Sequence, residues 1–330
     1  MIRLSNHRYL LLVALAGLAT AAETISGPIA GYSADPSGRQ LRAILGVPGA
    51  LAFSDPLLLP EGITQLRLAP GQDFALAERA DAAPAILFLS NGTVERLAPI
   101  EDGMPASDWV AFSPGASAAI LFSAGANRLQ VLTGLPNAPH VAMDIEATSL
   151  SVQPGLGAVS DDGTLVLLAS ETSVYRVSKT GAAQLVLSAG GVRSIAILRN
   201  GADAAISDSS TGSVHILRNA ASAVETSILA SGLDGIGAIF PAWDGRSLFV
   251  ARPGAETLSS VDLESGAVES FASAAAPVGL VPLRNHDTFL ISARPRQPGW
   301  VFYRDGAAGR IVFIPAAKTS REIPVREGVR

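Results

Sequence analysis

The chain is built on a repeated phrase: a short aliphatic run, a polar turn, then a second aliphatic run. The phrase is read first at residues 63–68 followed by Pro70-Gly71-Gln72-Asp73, and again at residues 109–112 followed by Ser113-Pro114-Gly115, with four more copies after these. Setting the turns in register gives Gly71, Gly115, Gly163, Gly201 and Gly245, with His286 in the glycine place of the sixth. Successive copies lie 44, 48, 38, 44 and 41 residues apart. Such an interval holds about four short strands with their turns. Asp162-Gly163, Asn200-Gly201 and Asp244-Gly245 supply the positive φ that tight hairpins need. A second turn recurs in the later half of the units, at Ser90-Asn91-Gly92, Lys179-Thr180-Gly181, Glu264-Ser265-Gly266 and Arg304-Asp305-Gly306. Each unit therefore reads as one strand pair followed by another, and no segment after residue 22 sustains the three-and-four spacing of a helix.

An all-β array of this period closes most economically as a β-propeller, because each four-stranded sheet then packs on the next and no terminal cap is needed. About 308 residues remain after the leader described below, which at the observed interval makes seven four-stranded blades, with six and eight as the outer bounds. The first unit is irregular. Residues 29–45 carry a turn of the second kind at Asp35-Pro36-Ser37-Gly38, no copy of the first kind precedes it, and residues 50–59 offer a further strand. This segment is expected to close the ring, in a manner that the sequence does not specify.

The chain has 330 residues, 48% of them hydrophobic and 16% charged, enough to bury a large core. A net charge of -5 without a dense basic block argues against a nucleic-acid partner. Aromatic residues make up only 5%, which argues against a carbohydrate-stacking groove. There is no cysteine, so disulfides, thiolate metal sites and a lipidated cysteine are excluded. The N-terminus carries Arg3 and Arg8, an apolar stretch over residues 9–18, and Ala19-Thr20-Ala21-Ala22 before Glu23. This is the layout of a secretory signal peptide, too short in its apolar part for a bilayer span of ~20 residues. The expected organisation is a signal peptide at 1–22, a propeller domain at 23–316 and a charged tail at 317–330. The mature protein is expected in the periplasm or outside the cell, free of the membrane and monomeric.

The stretch Ala242-Trp243-Asp244-Gly245-Arg246-Ser247-Leu248-Phe249-Val250-Ala251, followed by Thr257-Leu258-Ser259-Ser260-Val261-Asp262-Leu263-Glu264-Ser265-Gly266, resembles the bacterial YVTN-type propeller repeat and its NHL and lactonase-like relatives. Residues 159–186 form the next best copy, and as an architecture the resemblance spans about residues 27–315. Trp243-Asp244 sits at a turn and not at a strand end, so the chain is not a WD repeat. The lactonase-like relatives imply a divalent cation held by Glu, Asn and Asp side chains at the channel mouth, polarising a lactone carbonyl. The loops leaving the second strands offer Arg79, Asp81, Asn127, Glu171, Asp208, Arg252 and Arg294 for such a ring. Three arginines among them suit an anion better than a cation.

No catalytic, cofactor-binding or metal-binding residue is assigned from the sequence. His7 belongs to the leader, His140 and His215 lack a partner at ligand spacing, and His286 stands at an exposed turn. No Gly-x-Ser-x-Gly elbow occurs. Gly155-Leu156-Gly157 and Gly235-Ile236-Gly237 lead into β repeats and read as close-packed glycines, not as a dinucleotide loop. Arg294-Pro295-Arg296-Gln297-Pro298 reads as a solvated loop in the last unit. The tryptophan-rich docking pattern of quinone-dependent propellers is lacking, with only Trp109, Trp243 and Trp300 present. The functional expectation is a secreted, non-catalytic scaffold that binds a protein or small-molecule ligand by its loop face, needing no cofactor. The alternative is a metal-assisted hydrolase or lactonase acting at the central channel.

Overall fold

The computed structural model describes residues 27–316 apart from 36, 81, 151, 293–297 and 307. The expected leader and charged tail, and with them Asp81, Arg294 and Arg296, lie outside the described residues.

Seven antiparallel sheets follow one another along the chain, and each is built from consecutive strands. The first holds β1 (Ile29–Ala34), β2 (Leu41–Val47) and β3 (Ala50–Pro56); the second holds β4 (Ile63–Leu68), β5 (Phe74–Arg79), β6 (Ala82–Ser90) and β7 (Thr93–Pro99). Four-stranded blades 3 to 7 occupy residues 109–146, 156–188, 192–230, 239–272 and 281–314. The second strand of a blade is buried on both faces, as in Ala118–Ser123 and Val166–Ala169, so it reads in sequence as an unbroken apolar run. The fourth strand is mostly exposed, as in Glu225–Ala230.

The core is seven clusters, one for each interface between successive blades. Ile120 and Leu129 of blade 3 meet Val159 and Val166 of blade 4, and Leu167 and Leu187 of blade 4 meet Ile206 and Leu217 of blade 5. The last cluster joins Leu290, Val301 and Ile314 of blade 7 to Ala30, Ile44 and Leu51 of blade 1. That cluster closes the sheets into a ring, and the chain forms a seven-bladed β-propeller as its repeats require.

Blade 1 has three strands among the described residues, and they correspond to the second, third and fourth of the other blades. β3 packs on the last strand of blade 7 (Ala308–Ile314), which packs on the last strand of blade 6 in turn. The β1–β2 turn lies at the opposite end from the first turns of the blades, with Gly38 against Gln65 and Leu66 of β4. The turn at Asp35 therefore joins strands of the second and third kind; it is not a turn of the second kind, as its residues suggest. No strand is shared between the two ends of the chain among the described residues.

A side chain fills the place of the inner strand beside β1. Gln72 is fully buried, and its carboxamide pairs with one residue at both ends: Tyr32 N donates to Gln72 Oε1 at 2.6 Å, and Gln72 Nε2 donates to Tyr32 O at 3.1 Å. This is the two-bond pattern that a strand neighbour would offer. Arg284 N donates to Ala30 O two residues away at 3.0 Å, and the Tyr32 hydroxyl accepts from Gly92 N at 3.1 Å. Gly31 is required here, because a Cβ at that position would lie 2.4 Å from Gln72 Oε1.

The reading of Gly157 as a close-packed glycine agrees with its surroundings. A Cβ there would stand 3.0 Å from Trp109 Cη2 of blade 3 and 3.1 Å from the Leu167 carbonyl oxygen. Gly157→Ala is expected to destabilise the protein by about 1–3 kcal/mol through overpacking. Chemical denaturation checks this, and an unchanged midpoint would show that the inner strands have slack.

Candidate functional site at the first-turn face

The first turns of blades 2 to 7 share one hydrogen-bonded frame. The N–H of the first turn residue donates to the carbonyl five residues on, from Ala69 to Phe74, Ser113 to Ala118, Ser160 to Leu165, Leu198 to Asp203, Ala242 to Ser247 and Leu283 to Thr288. This frame shifts the alignment in two blades. The left-handed residue equivalent to Gly163 (φ 73°) is Gln72 (φ 53°) in blade 2 and Ala116 (φ 61°) in blade 3, one position beyond Gly71 and Gly115. In this register the second turn position carries Pro70, Pro114, Asp161, Arg199, Trp243 and Arg284, one from each of blades 2 to 7.

Four of these residues join a turn to that of another blade. Asp161 Oδ1 accepts from Gly115 N at 2.7 Å, Arg199 Nε donates to Ala242 O at 3.1 Å, Trp243 N donates to Asp287 Oδ1 at 2.7 Å, and Arg284 Nη2 donates to Asp73 Oδ1 at 2.6 Å. The last bond runs directly from blade 7 to blade 2, past the position that a first turn of blade 1 would hold. Trp243 lies between its neighbours, with the Arg199 guanidinium carbon 4.3 Å from its ring centroid and the His286 ring stacked at 3.8 Å and 10°. His286 is exposed as the sequence suggests, and its stacking on Trp243 is a role that its sequence does not reveal.

A cavity of about 300 Å³ opens beside this stack, walled by Phe240, Pro241 and Leu283, with Arg199, Arg284 and His286 at its rim. Burial draws the Arg199 pKa below its ordinary value, while the charges of Asp161 and Asp287 pull it back up. No carboxylate lies within 4.0 Å of the Arg199 nitrogens among the described residues, whereas Asp73 is paired with Arg284.

The residues offered by the second-strand loops are not joined into one cluster among the described residues. Those loops lie at the opposite end of the blades, and among the described residues no hydrogen bond or ion pair joins Arg79, Asn127, Glu171, Asp208 and Arg252 to each other. Asn127 is occupied by Thr148, accepting from its N at 2.9 Å and donating to its hydroxyl at 3.1 Å. Arg252 Nε donates to Asp234 O at 3.1 Å. Asp208 is saturated, accepting from Gly190 N, from the N and hydroxyl of Ser210, and from the Thr211 hydroxyl. No group of three His, Cys, Asp or Glu side chains is placed to hold a metal ion among the described residues. Among the described residues this donor set does not fit the cation that the lactonase-like relatives imply.

Asp208 is a structural anchor, and its pKa shows it. Burial alone would raise it, but the hydrogen bonds from Ser210, Gly190 and Thr211 outweigh burial and lower it from 3.8 to about 2. The lowered folded-state value means that its stabilisation is complete above the unfolded pKa and is lost as the pH falls from about 5 to about 2. About 2 kcal/mol of stability is expected to disappear over that window. Asp208→Asn should flatten the acid limb of a stability-against-pH curve, and an unaltered limb would refute this assignment.

Six first turns around a seven-bladed ring make the chain a β-propeller with one face built from its first turns. No protein-family model and no curated protein sequence matches the chain. Among solved structures it is similar to a candidate 6-phosphogluconolactonase from Bacteroides fragilis, with 15% identity, a TM-score of 0.56 and coverage of 88% of this chain and 95% of that one. A second candidate 6-phosphogluconolactonase, from Bacteroides uniformis, gives 14%, 0.55, 88% and 96%. The propeller domain of Cps50 (Swd1) from Myceliophteria thermophila gives 12%, 0.55, 79% and 89%. At these identities the likeness establishes the fold alone.

Proposed function

We propose that this chain is a secreted, non-catalytic β-propeller that binds its ligand or partner at the first-turn face. The observation that carries the reading is the convergence of Arg199, Trp243, Arg284 and His286, from three successive blades, on one cavity. A guanidinium, an indole and an imidazole recognise charge and aromatic surface. The carboxylates beside them, Asp73, Asp161 and Asp287, each accept a hydrogen bond from another blade. Secretion rests on the leader-like residues 1–22, and N-terminal sequencing of exported protein is expected to begin near Glu23.

Lactone hydrolysis, suggested by what two of the similar structures are described as, is the reading to be tested against. Metal content of the purified protein is to be measured together with turnover of a lactone panel before and after chelation. The expected result is no turnover above the buffer rate; chelator-sensitive turnover would replace the binding reading with the hydrolase.

A further inference from the structure

We propose that the first-turn cavity binds the carboxylate of a small apolar organic acid, with Arg199 as the carboxylate-binding residue. The inference rests on the binding reading above and names the ligand class for the same site.

Arg199 is held by its Nε bond to Ala242 O and by the Trp243 ring against which it lies. This fixes the guanidinium plane and leaves its two Nη groups without a carboxylate among the described residues. A fixed guanidinium with a free end matches the two oxygens of a carboxylate. The group is partly withdrawn from water on the wall of the cavity, so an anion there meets a charge whose hydration is already reduced. The other cation at the rim, Arg284, is bound to Asp73, which leaves Arg199 to supply the attraction.

The acidic neighbours set the limit on ligand charge. Asp73 and Asp287 line the same cavity, and Asp161 acts on Arg199 from the adjoining turn. One negative charge is balanced by Arg199, whereas a dianion such as a phosphate monoester would be repelled by these groups. The remainder of the ligand faces Phe240, Pro241, Pro282 and Leu283, and about 300 Å³ admits a ligand of small-molecule size.

The test uses the full mature chain and three probes of one shape class: phenylacetate, neutral phenylacetamide and dianionic phenyl phosphate. Binding is read by ligand-observed saturation-transfer NMR and by titration of tryptophan fluorescence. Phenylacetate is expected to bind at least tenfold more tightly than either of the other two, and Arg199→Gln is expected to weaken it at least tenfold with an unchanged circular dichroism spectrum. Equal affinity for the three probes, undiminished binding by Arg199→Gln, or no binding of phenylacetate would overturn the proposal. Should Arg199→Gln fail to fold, the comparison of the three probes on the unsubstituted protein decides. Failure here without lactone turnover removes the ligand class and leaves the binding reading standing. Chelator-sensitive turnover removes that reading itself.

Discussion

Gln72→Met is expected to destabilise the protein by about 2–5 kcal/mol and to lower its Tm by on the order of 5–10 °C. Methionine keeps the length and the unbranched shape of the side chain, so packing changes little and the hydrogen bonds are what is lost. Tyr32 N–H and C=O are both buried against this carboxamide, and each left unpaired costs about 1–3 kcal/mol. Gln72→Glu separates the two bonds: a carboxylate still accepts from Tyr32 N–H but faces Tyr32 C=O with no proton to give, so it is expected to fall below Met. Hydrogen exchange locates the effect, since the Tyr32 and Gly92 amides should lose protection before those of blades 3 to 6. If Gln72→Met melts as the unsubstituted protein does, β1 is held by its apolar contacts and the carboxamide is incidental.

Phe302→Ala is expected to cost about 3–5 kcal/mol, by loss of transfer free energy and by the cavity left behind. Phe302 is fully buried between blades 6 and 7, with ring centroids 5.3 Å from Phe249, 5.2 Å from Phe271 and 6.5 Å from Phe289. The same interface carries the Trp243 N–H bond to Asp287 at its first-turn end, so loosening it should also weaken ligand binding at the cavity. Phe313→Ala is the control, because Phe313 is 57% exposed on the outermost strand of the same blade and its loss should cost less than ~1 kcal/mol. Equal losses for the two variants, measured by urea unfolding, would contradict the placement of the core between blades.

The period of the chain made the propeller legible before any coordinates, because strand pairs joined by Asp162-Gly163, Asn200-Gly201 and Asp244-Gly245 repeat at blade length. Two of its turns were misregistered by one residue, for a physical reason. Glycine marks a left-handed position by default, yet Gln72 and Ala116 occupy it, with Gly71 and Gly115 just before them. The irregular first blade was illegible because a side chain forty positions from its partner stands in for the missing inner strand, and no local pattern encodes that. The candidate site was missed for a related reason. Arg199, Trp243 and His286 each look like solvated turn residues within their own units, and only the packing of three successive blades stacks them. Aligning the turns by hydrogen-bonded frame and reading their second position would have drawn out Arg199, Trp243 and Arg284. The second-strand loops drew attention instead because polar residues are plentiful there, but Asp208 and Asn127 spend their polar atoms on serine, threonine and backbone groups.

The most direct test of the binding account is one proton NMR time course run in parallel on the unsubstituted protein and Arg199→Gln, each with phenylacetate and a lactone mixture. The account predicts saturation transfer to phenylacetate with the first and at least tenfold weaker binding with the second, with lactone signals decaying in both at the buffer rate. Lactone opening faster than buffer in the unsubstituted protein, or equal saturation transfer in the two, would contradict it.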